Sequence, residues 1–420
     1  MSDRPSGINR RDFLHRTAGA ALGASALAGA SAQAGEGAEK AAAAEPIWRN
    51  KHPDMTYRRL GRINYMCSRL AAGWRGNNRL KRMLLEKGVN YFDTSRTYSG
   101  GNNEKELGEL ARKFRDRMFL SSKASGLAGY PRRAFEPGEG AKAARMYHEL
   151  LDTSLRVLGV DHLDCYYLHG VADPFVLETE ELYAAYQKAH KAGKVLHNGF
   201  TTHSNVDKVL AKALEVEEKG EIKFDLIMIA CNPNSWPGRK DTITKLRKHD
   251  IGLICMKATG QVRRGKDARA DKMLTLADTL SLNSRERAYA YMLHVAGFDV
   301  LISEMQNPKH VEGNLKLPGM KLAASDRRRL ETMVAAEQRG ACHHCGQCTD
   351  ACPEMIEVHD ILRYHSYHHN YGHHQDACSQ YRELGYDVAR ACSDCGRCNA
   401  VCPAGIDLQA VVAEAARLLA

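Results

Sequence analysis

The stretch GVNYFDTSRTYSG (residues 88–100) ends an apolar run on a carboxylate, Asp93, and holds a phenol, Tyr98, five positions on. Two later runs also end on ionisable groups: RMFLSSK on Lys123 and LDCYYLH on His169. A phenol titrates near 10 and is a poor proton shuttle at neutral pH. A neighbouring ammonium stabilises its phenolate, so Lys123 is expected to bring the Tyr98 hydroxyl down. Asp93 would pair with Lys123, and His169 would hydrogen-bond a substrate oxygen. Such a set protonates a carbonyl oxygen or, in reverse, takes a proton from an alcohol. One polar residue at a strand end is ordinarily a turn former or a cap; three on successive strands argue for chemistry.

The end of the chain carries a second kind of chemistry. CHHCGQCTDACP and CSDCGRCNAVCP share the form C-x₂-C-x₂-C-x₃-C-P. They supply Cys342, Cys345, Cys348 and Cys352, then Cys392, Cys395, Cys398 and Cys402. This is the bacterial ferredoxin spacing for two [4Fe–4S] clusters, in which the fourth cysteine of each run completes the other cluster. Cys402 is thus expected with the first three, and Cys352 with the second three. Zinc sites have no use for a third cysteine at this spacing followed by Cys-Pro. Disulfides suit eight such closely spaced thiols less well than metal. The other five cysteines are scattered and read mostly as small core residues. Between the runs, His365, His368, His369, His373 and His374 fall at spacings that alternate sides of a single helix, so they read as polar surface.

These groups need elements to position them. Eight short apolar runs, starting at residues 69, 89, 117, 163, 195, 225, 251 and 299, alternate with amphipathic segments. Eight β-then-α units fit a closed (β/α)₈ barrel, an α/β fold whose active sites lie where the strands end. A doubly wound open sheet is the alternative, but its G-x-G-x-x-G fingerprint is absent. The segment between the cysteine runs and IDLQAVVAEAARLL are helical in pattern, which makes the tail an α-helical two-cluster ferredoxin-like domain. The expected organisation is an export signal over 1–34, a flexible linker over 35–54, the barrel over 55–325 and the ferredoxin-like domain over 326–420.

GVNYFDTSRTY…NEKELGEL, SSKAS, SLRVLGVDHLDCYYLHG and GKVLHNGFTTHS resemble, in this order, the aldo/keto reductases. That family's Asp, Tyr, Lys, His tetrad falls by motif position on Asp93, Tyr98, Lys123 and His169. The resemblance implies NADP(H)-dependent interconversion of a small carbonyl and an alcohol. It also implies nucleotide contacts at Thr201, Thr202, Asn232, Lys257 and Asn314. The chain departs from the family pattern where Met228 stands for the amide-binding glutamine, Cys231 for the ring-stacking tyrosine, and Gln306 near the basic residue that meets the 2′-phosphate.

Of 420 residues, 44% are apolar, enough for a sizeable core. The net charge of +10 is spread along the chain rather than clustered, which argues against a nucleic-acid partner. Arg263, Arg264 and Lys266 read as a solvated charged loop. Arg10 and Arg11 before Phe13 and Leu14, an Ala/Gly-rich stretch and the A-x-A at Ala32–Ala34 resemble a twin-arginine export signal. The expected location is periplasmic, reached through the twin-arginine translocase, with no apolar run long enough for a stable membrane span. The whole reads as an oxidoreductase whose clusters relay electrons to or from an external carrier. The alternative is an electron-transfer protein whose barrel is a docking scaffold without carbonyl chemistry of its own.

Overall fold

The computed structural model describes residues 45–127, 138–259, 281–337 and 340–420. The expected export signal, the linker up to residue 44 and the loop with Arg263, Arg264 and Lys266 lie outside these residues. Eight parallel strands close into a barrel. They are β3 (Leu70–Ala72), β4 (Tyr91–Asp93), β5 (Phe119–Ala124), β6 (Leu163–Leu168), β7 (Val195–Thr202), β8 (Leu226–Ala230), β9 (Gly252–Met256) and β10 (Val300–Ser303). Each of the eight apolar runs carries one of them, with β5 and β7 extending one residue past the expected end. The strand edges move slightly: Ala124, not Lys123, ends β5, and His169 and Lys257 stand one residue beyond β6 and β9.

Around the strands run α1 (Asn78–Glu86), α2 (Asn102–Phe114), α3 (Glu139–Leu158), α4 (Glu180–Lys191), α5 (Val206–Lys219), α6 (Trp236–Lys248) and α7 (Ser284–His294). After the last strand come α8 (Pro308–Leu315) and α9 (Ala324–Glu337). Starts are set by side chains that satisfy otherwise orphaned amides. Asn77 caps α1, Asn307 caps α8, and Asn283 with Glu286 forms a capping box on α7. The strands are buried on both faces, so they read as continuous apolar runs rather than alternating ones. Inside the barrel the Tyr91 and Tyr167 hydroxyls satisfy each other at 2.7 Å, as buried phenols require.

A hairpin that the strand pattern did not reveal closes the far end. Strands β1 (Tyr57–Leu60) and β2 (Tyr65–Ser68) pair antiparallel, and Leu60, Ile63, Tyr65 and Cys67 pack with Tyr91, Phe119, Leu226 and Ile254 from the barrel interior. Each fully buried side chain of this kind contributes about 1.5–3 kcal/mol. Residues 47–50, expected as linker, are tied to the barrel: Arg49 bonds the Met118 carbonyl (2.6 Å) and Asp164 (2.8 Å), and Asn50 bonds the Leu85 carbonyl (2.6 Å).

The tail is helical, with α10 (Gln347–Asp350), α11 (Val358–His369), α12 (His374–Arg382), α13 (Val388–Ala391), α14 (Arg397–Ala400) and α15 (Leu408–Leu419). It has its own small core around Ile356, Ile361, Leu362, Leu408, Val412 and Leu419. It is docked on the barrel end where the strands terminate. Trp74 after β3, Asn232 after β8, Lys257 after β9 and Glu304 after β10 all meet it.

Candidate active site

The barrel brings the four expected residues to one mouth. Lys123 Nζ donates to Asp93 Oδ2 (2.5 Å) and to the Thr94 carbonyl (2.8 Å), and it lies 4.8 Å from the centre of the Tyr98 ring. Ser121 donates to the other Asp93 oxygen at 2.7 Å. Tyr98 opens a tight turn in which Ser99 (φ 51°) and Gly100 (φ 60°) are left-handed, a reversal that glycine makes without strain. The His169 ring stands edge-on to Tyr98 at 5.8 Å, its Nδ1 held 2.6 Å from the Ser125 hydroxyl.

The electrostatics correct one expectation. Burial pushes the Tyr98 hydroxyl well above the ordinary phenol value, and Asp93, Tyr367 and Glu304 push the same way. The Lys123 ammonium is taken up by Asp93, and burial outweighs any pull it has on the phenol. Tyr98 is therefore a neutral O–H donor. Burial, then Lys123 and Arg363, hold His169 well below its usual value, so it is a neutral imidazole beside that donor.

A phenol made acidic by an ammonium is present, but it is Tyr367 of the tail. Helix α11 carries Arg363 and Tyr367 one turn apart. The Tyr367 hydroxyl accepts from Lys257 Nζ (2.9 Å) and Arg363 Nη1 (3.3 Å). Burial alone would raise this phenol; the two cations outweigh it and hold the group below its ordinary value. Asp360 and Gln380 fix the guanidinium of Arg363 (3.0 and 2.9 Å). Trp74 completes the seam. Its ring lies 5.1 Å from that of Tyr98 and 5.3 Å from that of His373, and its Nε1 donates to Glu304 at 2.9 Å.

The expected nucleotide residues are engaged inside the chain. Asn232 Nδ2 donates to the Cys342 carbonyl (2.9 Å), and Lys257 is bonded to Tyr367. Thr201 Oγ1 accepts from the Gly170 amide (2.8 Å), Thr202 bonds the Ser204 carbonyl (3.1 Å), and Asn314 bonds Ser303 (2.9 Å). Met228 is packed in the barrel interior. Two of these groups, Asn232 and Lys257, hold the tail, and the other three are bonded to neighbouring barrel residues.

The cysteines do fit iron–sulfur chemistry. All thirteen are free thiols. The two runs share one backbone course, with positive φ at His344 and Asp394, Gly346 and Gly396, and Met355 and Gly405. Such turns aim amides inward toward an anionic group, and here the His344 amide bonds Cys342 Sγ (3.3 Å) and the Ile406 amide bonds Cys402 Sγ (3.4 Å). A small cavity is lined by Cys352, Cys392, Cys395 and Cys398. Cys402 lies within electrostatic reach of Cys342. Cys402 thus lies near the first run and Cys352 near the second.

Several residues of the mouth escaped the sequence reading: Trp74, Glu304, Arg363, Tyr367 and the buried Arg239. The last bonds Asp207 (2.7 Å), the Ala230 carbonyl (2.8 Å) and the His343 carbonyl. Only the four-residue spacing of Arg363 and Tyr367 signals a shared helix face. Nothing local signals that this face meets the barrel.

Residues 77–335 match the model of the aldo/keto reductase family, and residues 338–406 match a 4Fe-4S dicluster domain. Among curated proteins, the chain is 25% identical over 228 residues to L-glyceraldehyde 3-phosphate reductase of Escherichia coli K12, covering 50% of this chain and 63% of that one. It is 34% identical over 123 residues to methylglyoxal reductase of the same strain, covering 29% and 37%. An aldo-keto reductase of Gibberella moniliformis matches at 34% identity, covering 28% of this chain and 34% of that one. The chain spans less than two thirds of the length of each of these relatives. The fold is similar to that of a thermostable aldo-keto reductase solved with the inhibitor epalrestat (TM-score 0.53, 19% identity, 66% of this chain and 100% of that one). It is also similar to that of a Bacillus halodurans aldo-keto reductase in its holo form (TM-score 0.51, 20% identity, 67% and 97%).

Proposed function

Because the chain belongs to the aldo/keto reductase family, we propose that its barrel mouth interconverts a small carbonyl and an alcohol, with electrons relayed through two [4Fe–4S] clusters in the tail. The observation that carries this reading is the 2.9 Å bond from Asn232, at the mouth, to the carbonyl of Cys342, a cluster ligand. When bound, the clusters supply single electrons received from an external one-electron carrier. The ligand sets are Cys342, Cys345, Cys348 and Cys402, and Cys392, Cys395, Cys398 and Cys352. Reduction adds two electrons and two protons to the carbonyl. Tyr98 gives the proton to oxygen, and neutral His169 orients that oxygen. Tyr367, held by Lys257 and Arg363, is the second proton source. Asp93 keeps Lys123 in place beneath the Tyr98 ring. The protein acts in the periplasm after export by the twin-arginine translocase with its clusters already inserted.

The test is anaerobic turnover of a carbonyl panel that includes methylglyoxal and glyceraldehyde 3-phosphate, with reduced methyl viologen or NADPH as donor. Viologen-driven turnover that NADPH does not replace, lost by about 10²-fold or more in Tyr98→Phe with the cluster spectrum intact, is the expected result. Turnover unchanged in Tyr98→Phe would leave the barrel a docking scaffold, and NADPH-driven turnover would overturn the electron route.

A further inference from the structure

The histidines between the cysteine runs are not a uniform polar surface. His365 and His369 lie one helical turn apart on α11, which places both on the same face. Helix α15 runs beside that face and inserts Glu414 between them. His365 Nε2 is 2.8 Å from Glu414 Oε2, and His369 Nε2 is 3.4 Å from Glu414 Oε1. The three donor atoms all lie within 4.8 Å of one another, and the two imidazole centres are 4.3 Å apart. An ion with bonds of about 2.0–2.2 Å to imidazole nitrogen and carboxylate oxygen needs donors about 3–3.5 Å apart. The observed triangle closes on that with small side-chain movements and no change of backbone.

We propose that His365, His369 and Glu414 form a binding site for a divalent transition-metal ion of the zinc class, separate from the cysteine sites, that clamps α11 to α15. Two imidazoles and a carboxylate are the donor set such ions take, and three protein ligands leave a position for water on the half-exposed side. Arg417, largely exposed, approaches the carboxylate at 4.0 Å. His368 and His374 approach each other at 2.9 Å on the neighbouring patch, with Cys378 3.6 Å from His374, and they are not ligands in this assignment. The clamp has a use. Helix α11 also presents Arg363 and Tyr367 to the barrel mouth, so an ion at this seam holds the register of that helix against the rest of the tail.

The experiment uses the full chain, purified anaerobically with its iron content measured. The protein is equilibrated with zinc ion, freed of loose metal by gel filtration, and analysed for zinc and iron together. About one zinc per chain is expected in the wild type with iron unchanged. His365→Ala/His369→Ala should bind at least tenfold more weakly, while His368→Ala/His374→Ala should bind as the wild type does. Glu414→Gln, which keeps the shape of the side chain, should weaken binding without altering the iron content, and it guards against a folding defect in the double variant. Wild-type protein that retains no zinc, a double variant that retains as much as wild type, or loss on changing His368 and His374 would each overturn the site.

Discussion

The two cysteine runs are near copies in sequence and in backbone, yet they occupy different worlds. The first is inner. Cys342 and Cys348 are buried, and the backbone of residues 341–344 is gripped from the barrel by Asn234, Asn232, Arg239 and the Val206 amide. The second is outer. Cys395 is exposed, and its turn is fastened within the tail, by Gln409 Nε2 on the Asp394 carbonyl at 3.0 Å. The shared turns follow from glycine placement and from amides that must face sulfur, which is local. Which run faces the mouth and which faces solvent depends on partners more than a hundred residues away. Under the proposed relay, the outer run is the side for an external electron carrier and the inner run the side for the substrate.

The comparison is tested most severely at Arg239. Arg239→Met takes the buried guanidinium away from two carbonyls and from the half-exposed Asp207, which should cost about 1–3 kcal/mol for each carbonyl left unsatisfied. Thermal unfolding should show this loss, and a chelator should then strip about half of the iron first, from the inner run. Equal stripping from both runs would erase the distinction between them.

Acid is the next lever. Burial pulls His373, in the seam between Trp74 and Glu304, down to about 3. Its folded value lies below its unfolded one near 6.5, so the stability it supports is complete above about 6.5 and is lost as the pH falls toward 3. Glu304, raised by burial, takes up its proton more readily when folded and offsets part of that loss. Arg75, bonded to Asp376, and Lys257 face the same seam and push His373 the same way. Proteolysis between barrel and tail should therefore accelerate over this window in the wild type, with a flatter profile in His373→Phe. Identical profiles would remove the seam as the weak point.

Tyr367→Phe is expected to have a smaller effect, about tenfold on turnover, and to remove from an ultraviolet pH titration one phenol that ionises below the usual value near 10. If that low-lying phenol persists, the assignment of the acidic group to the tail is wrong. Gln409→Ala, at the outer run, should cost no more than about 1 kcal/mol in thermal unfolding. A loss as large as that at Arg239 would make the two runs equivalent after all.

Much of the site was legible because it is written in strand ends. Asp93, Lys123 and His169 lie at or within one residue of the ends of three neighbouring strands, and a barrel has only one mouth for them, so their convergence followed from counting strands. What Lys123 does there was not legible. An ammonium between a carboxylate and an aromatic face acts on whichever its distances favour, and here it is held by Asp93. The acidic phenol was sought at Tyr98 and stands at Tyr367, because its two cations come from a barrel loop and a tail helix that no local pattern links. The same holds for Asn232 and Lys257. Their positions matched a nucleotide site, but the tail supplies their partners. The floor hairpin was missed because two four-residue strands leave little periodic signal.

By itself the sequence determined the repeating β-then-α alternation, the four residues at the mouth and the eight thiols at ferredoxin spacing. Each of these depends on neighbours in the chain: apolar periodicity, the end of a strand, a glycine in a turn. Only the tertiary structure decided that the tail sits on the mouth, that one cysteine run is buried against the barrel while its twin faces water, and that two histidines of a scattered-looking run share one carboxylate. Those facts are set by packing between segments far apart in sequence, where burial and a few hydrogen bonds choose among partners that composition leaves equal.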